Sequence, residues 1–294
     1  MHELPPLEPN PEQILARPWI FVTALSLWTT LLAAGPLLVA SVAALAGFAR
    51  PPALFGRVAP SLSLFFGALP LLLWIVGAHH AGWGVLHKRR VFLLLGVFLA
   101  DAFLWLLWGV LRPQQLRSDL AWSGLSVVSM LLAGYPAMSG AEDKPRRLWP
   151  RLFLFPHLVA HAFLAGSALL VLALAYFGGT RSVANVLLRC VLGGVCAHGI
   201  LVLAGIALAR RRPEGAQAVS EMISGPMAAR FWIIAVLMGT ALPIYILAFH
   251  FARPAASGLW GAVAATLALL GLLVYEDCCA GAARRAPSGS APAG

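Results

Sequence analysis

Eight apolar runs, each long enough to cross a bilayer as a helix, leave this chain few folds to choose from. They cover roughly residues 19–48, 61–86, 91–111, 120–138, 152–177, 183–208, 231–251 and 255–275. A helix rising about 1.5 Å per residue needs about 20 apolar residues to span the hydrocarbon layer. The runs are continuous rather than alternating. In lipid only helices and closed barrels satisfy their own backbone groups, so these runs read as helices. Of the 294 residues, 60% are hydrophobic and 11% are charged. A soluble domain carries about 25% charge, so the solvent that suits this sequence is a lipid bilayer. The expected fold is all-α: a polytopic membrane bundle of about eight transmembrane helices.

The formal net charge of +10 resides in the loops. With eight spans, one side holds Arg17, Lys88, Arg89, Arg90, Lys144, Arg146, Arg147, Arg151, Arg210, Arg211, Arg212, Arg230, Arg284 and Arg285. The other side holds only Arg50, Arg57, Arg112, Arg117, Arg181 and Arg253. The richer side is expected to be cytoplasmic. That reading places the chain in the inner (plasma) membrane with both termini cytoplasmic. Residues 1–18 are expected to form a cytoplasmic N-terminal tail, 19–277 the eight-helix domain and 278–294 a disordered C-terminal tail. The N-terminal tail is acidic and proline-rich and lacks the basic and apolar regions of a cleaved signal. No basic stripe with interleaved aromatics is present, so nucleic acid is not an expected partner.

Local features refine the runs. Gly35-Pro36 predicts a kink or an early end in the first. The fourth is the least apolar, with Ser123, Gly124, Ser126, Ser129, Gly134 and Pro136, and its small residues predict a place inside the bundle. Pro243 predicts a kink in the seventh. In the longest loop, residues 216–223 (AQAVSEMI) predict a short interfacial helix.

Ionisable groups at hydrocarbon depth are costly, and each is a functional candidate. Asp101 lies near the middle of the third run, with Trp105 and Trp108 on the same stripe at i+4 and i+7. It is a candidate for proton transfer or for hydrogen bonding to a quinone; the structural alternative is a buried neutral acid. Arg189 lies inside the sixth run and either snorkels to the interface or pairs with an acid such as Asp101. His79, His80, His157, His161 and His198 all fall in the cytoplasmic halves of helices two, five and six. His157 and His161 are one turn apart on one face. Three readings of this set stay open: a hydrated proton path or quinone pocket, bis-histidine haem ligation, and interfacial histidines bonded to backbone and headgroups. His250 reads as interfacial, and Glu221 as a solvated loop acid or a proton carrier to the surface.

The four cysteines, Cys190, Cys196, Cys278 and Cys279, form no CxxC pair, so no iron–sulfur cluster or structural metal site is expected. No nucleophile elbow, phosphate loop or HExxH motif is present. The body of the chain reads as a conduit or anchor rather than a hydrolase.

The C-terminal third resembles the NrfD/polysulfide-reductase membrane subunit family. The resemblance rests on Ser224-Gly225-Pro226, Arg230-Phe231-Trp232, Leu237-Met238-Gly239 and Leu242-Pro243. It also rests on His161-Ala162-Phe163-Leu164-Ala165-Gly166-Ser167-Ala168 and on Gly271-Leu272-Leu273-Val274-Tyr275-Glu276. The chain departs from the family where Asp277-Cys278-Cys279-Ala280-Gly281 follows the last helix, and where the first run carries no His, Asp, Glu or Asn. The resemblance implies a membrane subunit without its own redox metal. Such a subunit exchanges electrons between a quinone (menaquinone or ubiquinone) and an iron–sulfur partner, with a molybdopterin catalytic subunit beyond it. Chemistry and depth make Asp101, His198 and Arg189 the catalytic candidates, and His161, His157, His80 and Tyr245 the cofactor-binding ones. The alternatives are a haem b cytochrome subunit and a secondary transporter.

Overall fold

Buried in hydrocarbon, each apolar run must close its own backbone hydrogen bonds, and the described residues are almost all helical, with short turns between helices and no strand among them. The computed structural model describes residues 11–47, 54–78, 85–111, 119–138, 151–178, 180–252 and 258–285. The first four helices are α1 (Pro11–Leu45), α2 (Ala59–Ala78), α3 (Val85–Leu111) and α4 (Asp119–Met138). Next come α5 (Arg151–Phe177), α6 (Arg181–Ala209) and a short α7 (Pro213–Ile223). The last are α8 (Leu242–Ala252) and α9 (Gly258–Arg285). Two π-helical stretches run directly into α-helices: π1 (Leu54–Val58) into α2, and π2 (Arg230–Ala241) into α8. Seven helices are long and apolar enough to cross a membrane. The eighth expected span, α4, has a shorter described apolar stretch, Ala121–Tyr135. The expected polytopic helical bundle is therefore the fold.

The centre of the bundle is α1. Residues 31–41 are buried without a break, and the helix packs on α2, α4, α5 and α9. Its composition suits that place. Ala33, Ala34 and Ala40 admit close neighbours, and the hydroxyls of Thr29, Thr30 and Ser41 bond back to carbonyls of their own helix. No interruption appears at Gly35-Pro36: α1 continues to Leu45. Gly35 serves contact instead, since a Cβ there would run into the backbone of Ala162 and Gly166 on α5. Neighbours on several sides hold in place a helix that Pro36 alone would loosen.

The expectation for α4 is corrected in the same way. It buries Trp122, Leu125, Ser129 and Leu132 but turns Val127 and Leu131 outward. The interior position goes to α1, whose apolar and small residues surround it, while α4 has them on one side only.

Pro243 acts through a change of helix type. π2 closes with the Leu242 N–H donating to the Leu237 carbonyl, five residues back. Pro243 then occupies the second position of α8, where a missing N–H costs least. The expected short helix within 216–223 is present as α7, which buries Ala218, Val219 and Met222 and packs against α9.

The chain termini also differ from expectation. Residues 11–18 are already helical. At the other end α9 passes Tyr275 and reaches Arg285, with Cys278, Cys279, Ala282 and Ala283 buried. Residues 278–283 are thus packed and helical rather than disordered tail, and the helix runs on to 285; residues 286–294 lie outside the described residues. The result is a bundle with two flanks. α2, α3 and α4 contact one another in sequence, while α5, α6, π2, α8 and α9 pack together. α1 touches both groups.

Candidate functional site

The second flank encloses a cluster of titratable side chains. His157 and His161 are four residues apart on α5 and so project from one face. α6 crosses α5 closely beside them: a Cβ on Gly194 would lie 3.1 Å from the Leu164 Cα. That crossing, one turn from His161 on α5 and one turn from His198 on α6, brings the two rings together with centroids 4.7 Å apart. α9 closes the third side with Tyr275, Glu276 and Asp277.

The hydrogen bonds form a connected chain. His198 Nδ1 lies 2.7 Å from His161 Nε2, and His161 Nδ1 lies 2.8 Å from Glu276 Oε1. Beside this chain, the Tyr275 hydroxyl is 3.2 Å from His157 Nε2, and the His157 and His161 rings are 4.1 Å apart. Asp277 turns to π2, where Arg230 Nη2 donates to its Oδ2 at 2.5 Å. His161 is 0% exposed, His198 3% and Glu276 7%, so water does not screen these contacts. The Arg230 side chain is 51% exposed and brings the cluster to the surface of the chain. His161 is ten residues into α5, His198 eleven from the end of α6, and Glu276 nine from the end of α9. At about 1.5 Å per residue all three sit about 15 Å in from their helix ends.

Both ring nitrogens of His161 are engaged, and this sets the protons. With Glu276 ionised, His161 donates from Nδ1 to the carboxylate and accepts at Nε2 from the Nδ1–H of His198. With Glu276 protonated, every donor in the chain reverses: the carboxyl O–H donates to His161 Nδ1, and His161 Nε2–H donates to His198 Nδ1. His198 Nε2 has no hydrogen-bond partner among the described residues and is the open end of the chain.

Of the candidates read from sequence, the structure gathers His157, His161 and His198. It leaves the other described candidates apart. Asp101 is on α3, on the opposite flank, and among the described residues no hydrogen bond or ion pair joins it to the cluster. Arg189 is exposed, with its guanidinium 5.9 Å from the centroid of the Phe251 ring, and does not meet Asp101. Tyr245 is 68% exposed on α8 and points away from the cluster. His79 and His80 lie outside the described residues. Glu221 is part of α7 and half-buried. His250, near the end of α8, stacks edge-on against Phe251.

Tyr275, Glu276, Asp277 and Arg230 complete the cluster and were not among the sequence candidates. The signal for them was two adjacent carboxylates. These were placed beyond the end of the last run, whereas α9 carries them as buried helix.

A haem does not fit between His161 and His198. Two axial imidazoles each about 2.0 Å from a metal stand about 4 Å apart with a macrocycle between them. Here the two nitrogens are in direct hydrogen-bond contact at 2.7 Å. The open end keeps a hydrogen bond to offer: His198 Nε2 accepts in one protonation state of the chain and donates in the other. No known family's sequence profile matches this chain, and no curated protein matches it in sequence.

Proposed function

We propose that this chain is the quinone-interacting membrane subunit of a respiratory oxidoreductase, with His198, His161 and Glu276 as its proton relay. The observation that carries the reading is the unbroken hydrogen-bonded chain from His198 to Glu276 at membrane depth. A bound quinol would supply two electrons and two protons. Electrons would leave through an iron–sulfur partner, with a molybdopterin catalytic subunit beyond it. The resemblance of 152–279 to NrfD-type subunits supports the same assignment. The excess of Lys and Arg on alternate loops supports a plasma-membrane protein with both termini cytoplasmic.

The relay balances without moving a ring. It begins with Glu276 ionised and both imidazoles protonated on Nδ1. A proton arriving at His198 Nε2 makes that ring doubly protonated. The His198 Nδ1–H then passes to His161 Nε2, and the His161 Nδ1–H passes to Glu276. The chain ends neutral, with both histidines in the opposite tautomer and one proton on the carboxyl. Asp277 and Arg230, next along α9 and half-exposed on π2, offer the route from Glu276 toward water. Rotation of the two rings and loss of the Glu276 proton reset the chain.

The test uses the intact complex in membranes. Glu276→Gln and His161→Phe are each expected to lower quinol-linked electron transfer about 100-fold or more, the scale of a lost proton-transfer group. Quinone co-purifying with the complex is expected to remain. Turnover within two-fold of wild type in both variants would remove the relay from the mechanism. A complex that neither binds quinone nor reacts with quinol would remove the function.

A further inference from the structure

A polar group on the other flank is used by none of this. Asp101 stands in the middle of the α3 span Phe92–Leu111. Its Oδ2 is sealed and without a partner, as is the Nε1 of Trp105 one turn on. Among the described residues Asp101 makes no hydrogen bond or ion pair. The residue is nonetheless partly exposed at the surface of α3, and its second oxygen is not sealed as the first is. Around it on that surface are Val97, Leu104 and Trp108, each about half exposed or more. Trp105 turns inward instead, with its ring 4.5 Å from that of Trp122 on α4. A partly exposed carboxyl at this depth, with no donor or acceptor among the described residues, is costly and suits a polar partner from outside the chain.

We infer that two copies of this chain pair side by side through α3, with the two Asp101 carboxyls hydrogen-bonded to each other across a two-fold axis along the membrane normal. The inference is independent of the quinone reading. A protonated carboxyl carries one donor and an acceptor, so it complements itself. Two copies inserted in the same orientation present every residue at the same depth, so Asp101 meets Asp101 with no offset. An isologous contact also needs only one such group per chain. The apolar residues beside it pack against their own copies, as a span–span interface requires.

The test is cysteine cross-linking of the full chain in membranes. A cysteine is placed at Val97 or Leu104 on the proposed face, or at Ile200, which is 67% exposed on α6. The otherwise unaltered chain controls for its four natural cysteines. Oxidation is expected to give a covalent homodimer from Val97→Cys or Leu104→Cys and none from Ile200→Cys. Adding Asp101→Leu is expected to lower the dimer yield roughly ten-fold, while Asp101→Asn, whose amide both donates and accepts, retains most of it. Absence of a homodimer at both face positions overturns the inference, whatever the fate of the Asp101 variants. A cross-link to a different polypeptide overturns it as well. A homodimer indifferent to both Asp101 variants removes the carboxyl pair from the interface.

Discussion

Replacing Glu276 by Ala and by Gln separates its structural role from its chemistry. Glu276 accepts from, or donates to, His161 Nδ1 at 2.8 Å in a site where His161 is fully buried. Ala removes that partner and leaves a sealed ring nitrogen with nothing to bond. The orphaned group alone costs about 1–3 kcal/mol. The cavity left by the missing carboxyethyl arm adds about 1 kcal/mol, so the total is about 2–4 kcal/mol. Gln keeps an oxygen in the same place for the His161 N–H, and its cost is expected to be about 1 kcal/mol or less. Stability is read as the unfolding midpoint in mild detergent, calibrated by reversible denaturation of the helical signal. Activity is read in parallel as quinol-linked turnover. The expected pattern is a crossed one: Ala unstable, Gln stable, both without turnover. If Gln were as destabilising as Ala, the contact would not be the hydrogen bond drawn here. If Ala cost less than about 0.5 kcal/mol, the site would be wet rather than sealed.

Other perturbations follow from the same packing. Gly35→Ala and Gly166→Ala each force a methyl into the backbone of the facing helix and are expected to destabilise by about 1–3 kcal/mol; Gly193→Ala, with nothing near its added Cβ, serves as the neutral control in the same unfolding measurement. Arg189→Ala removes only an exposed cation–π contact, so a stability loss of about 0.5 kcal/mol is expected, with turnover unchanged. Arg230→Gln is expected to cost about 1 kcal/mol, because the guanidinium is half solvated while Asp277 is not. A dithionite-reduced spectrum of the purified chain tests the haem reading: His161 and His198, already bonded to each other, are expected to contribute no Soret and α bands as a ligand pair.

The membrane bundle was legible because each spanning helix announces itself as an apolar run, although the first and last helices extend eight and ten residues beyond their runs. The histidines were legible for a related reason: an imidazole in such a run has no bland solvent to face. Which helix occupies the centre was not legible. α1 and α4 both carry small residues, and the choice depends on how many neighbours surround each, which no single run records. Asp101 and Arg189 illustrate the same limit. Their depths agreed with pairing, but depth is one coordinate and the angular position around the bundle is another. α3 and α6 belong to opposite flanks, so equal depth brought no contact.

The polar triplet of α9, Tyr275-Glu276-Asp277, is more instructive, because the feature that hides it in the sequence also fixes the helix in place. Two adjacent carboxylates lower the apolarity of any window, so the last span was ended at Tyr275. Yet consecutive helix residues point about 100° apart, and three of them sweep about 200° of the surface. Tyr275, Glu276 and Asp277 therefore address different neighbours at one depth: His157 and His161 on α5, and Arg230 on π2. A hydrophobic pattern of the same length would leave α9 free to rotate or slide among near-equivalent packings. The three polar bonds fix its rotation and its register together, since a slip of one residue would break all of them and strip His161 of its carboxylate partner in a dry interior. The α9 helix is thus held in place by the same hydrogen bonds that join it to the histidine cluster.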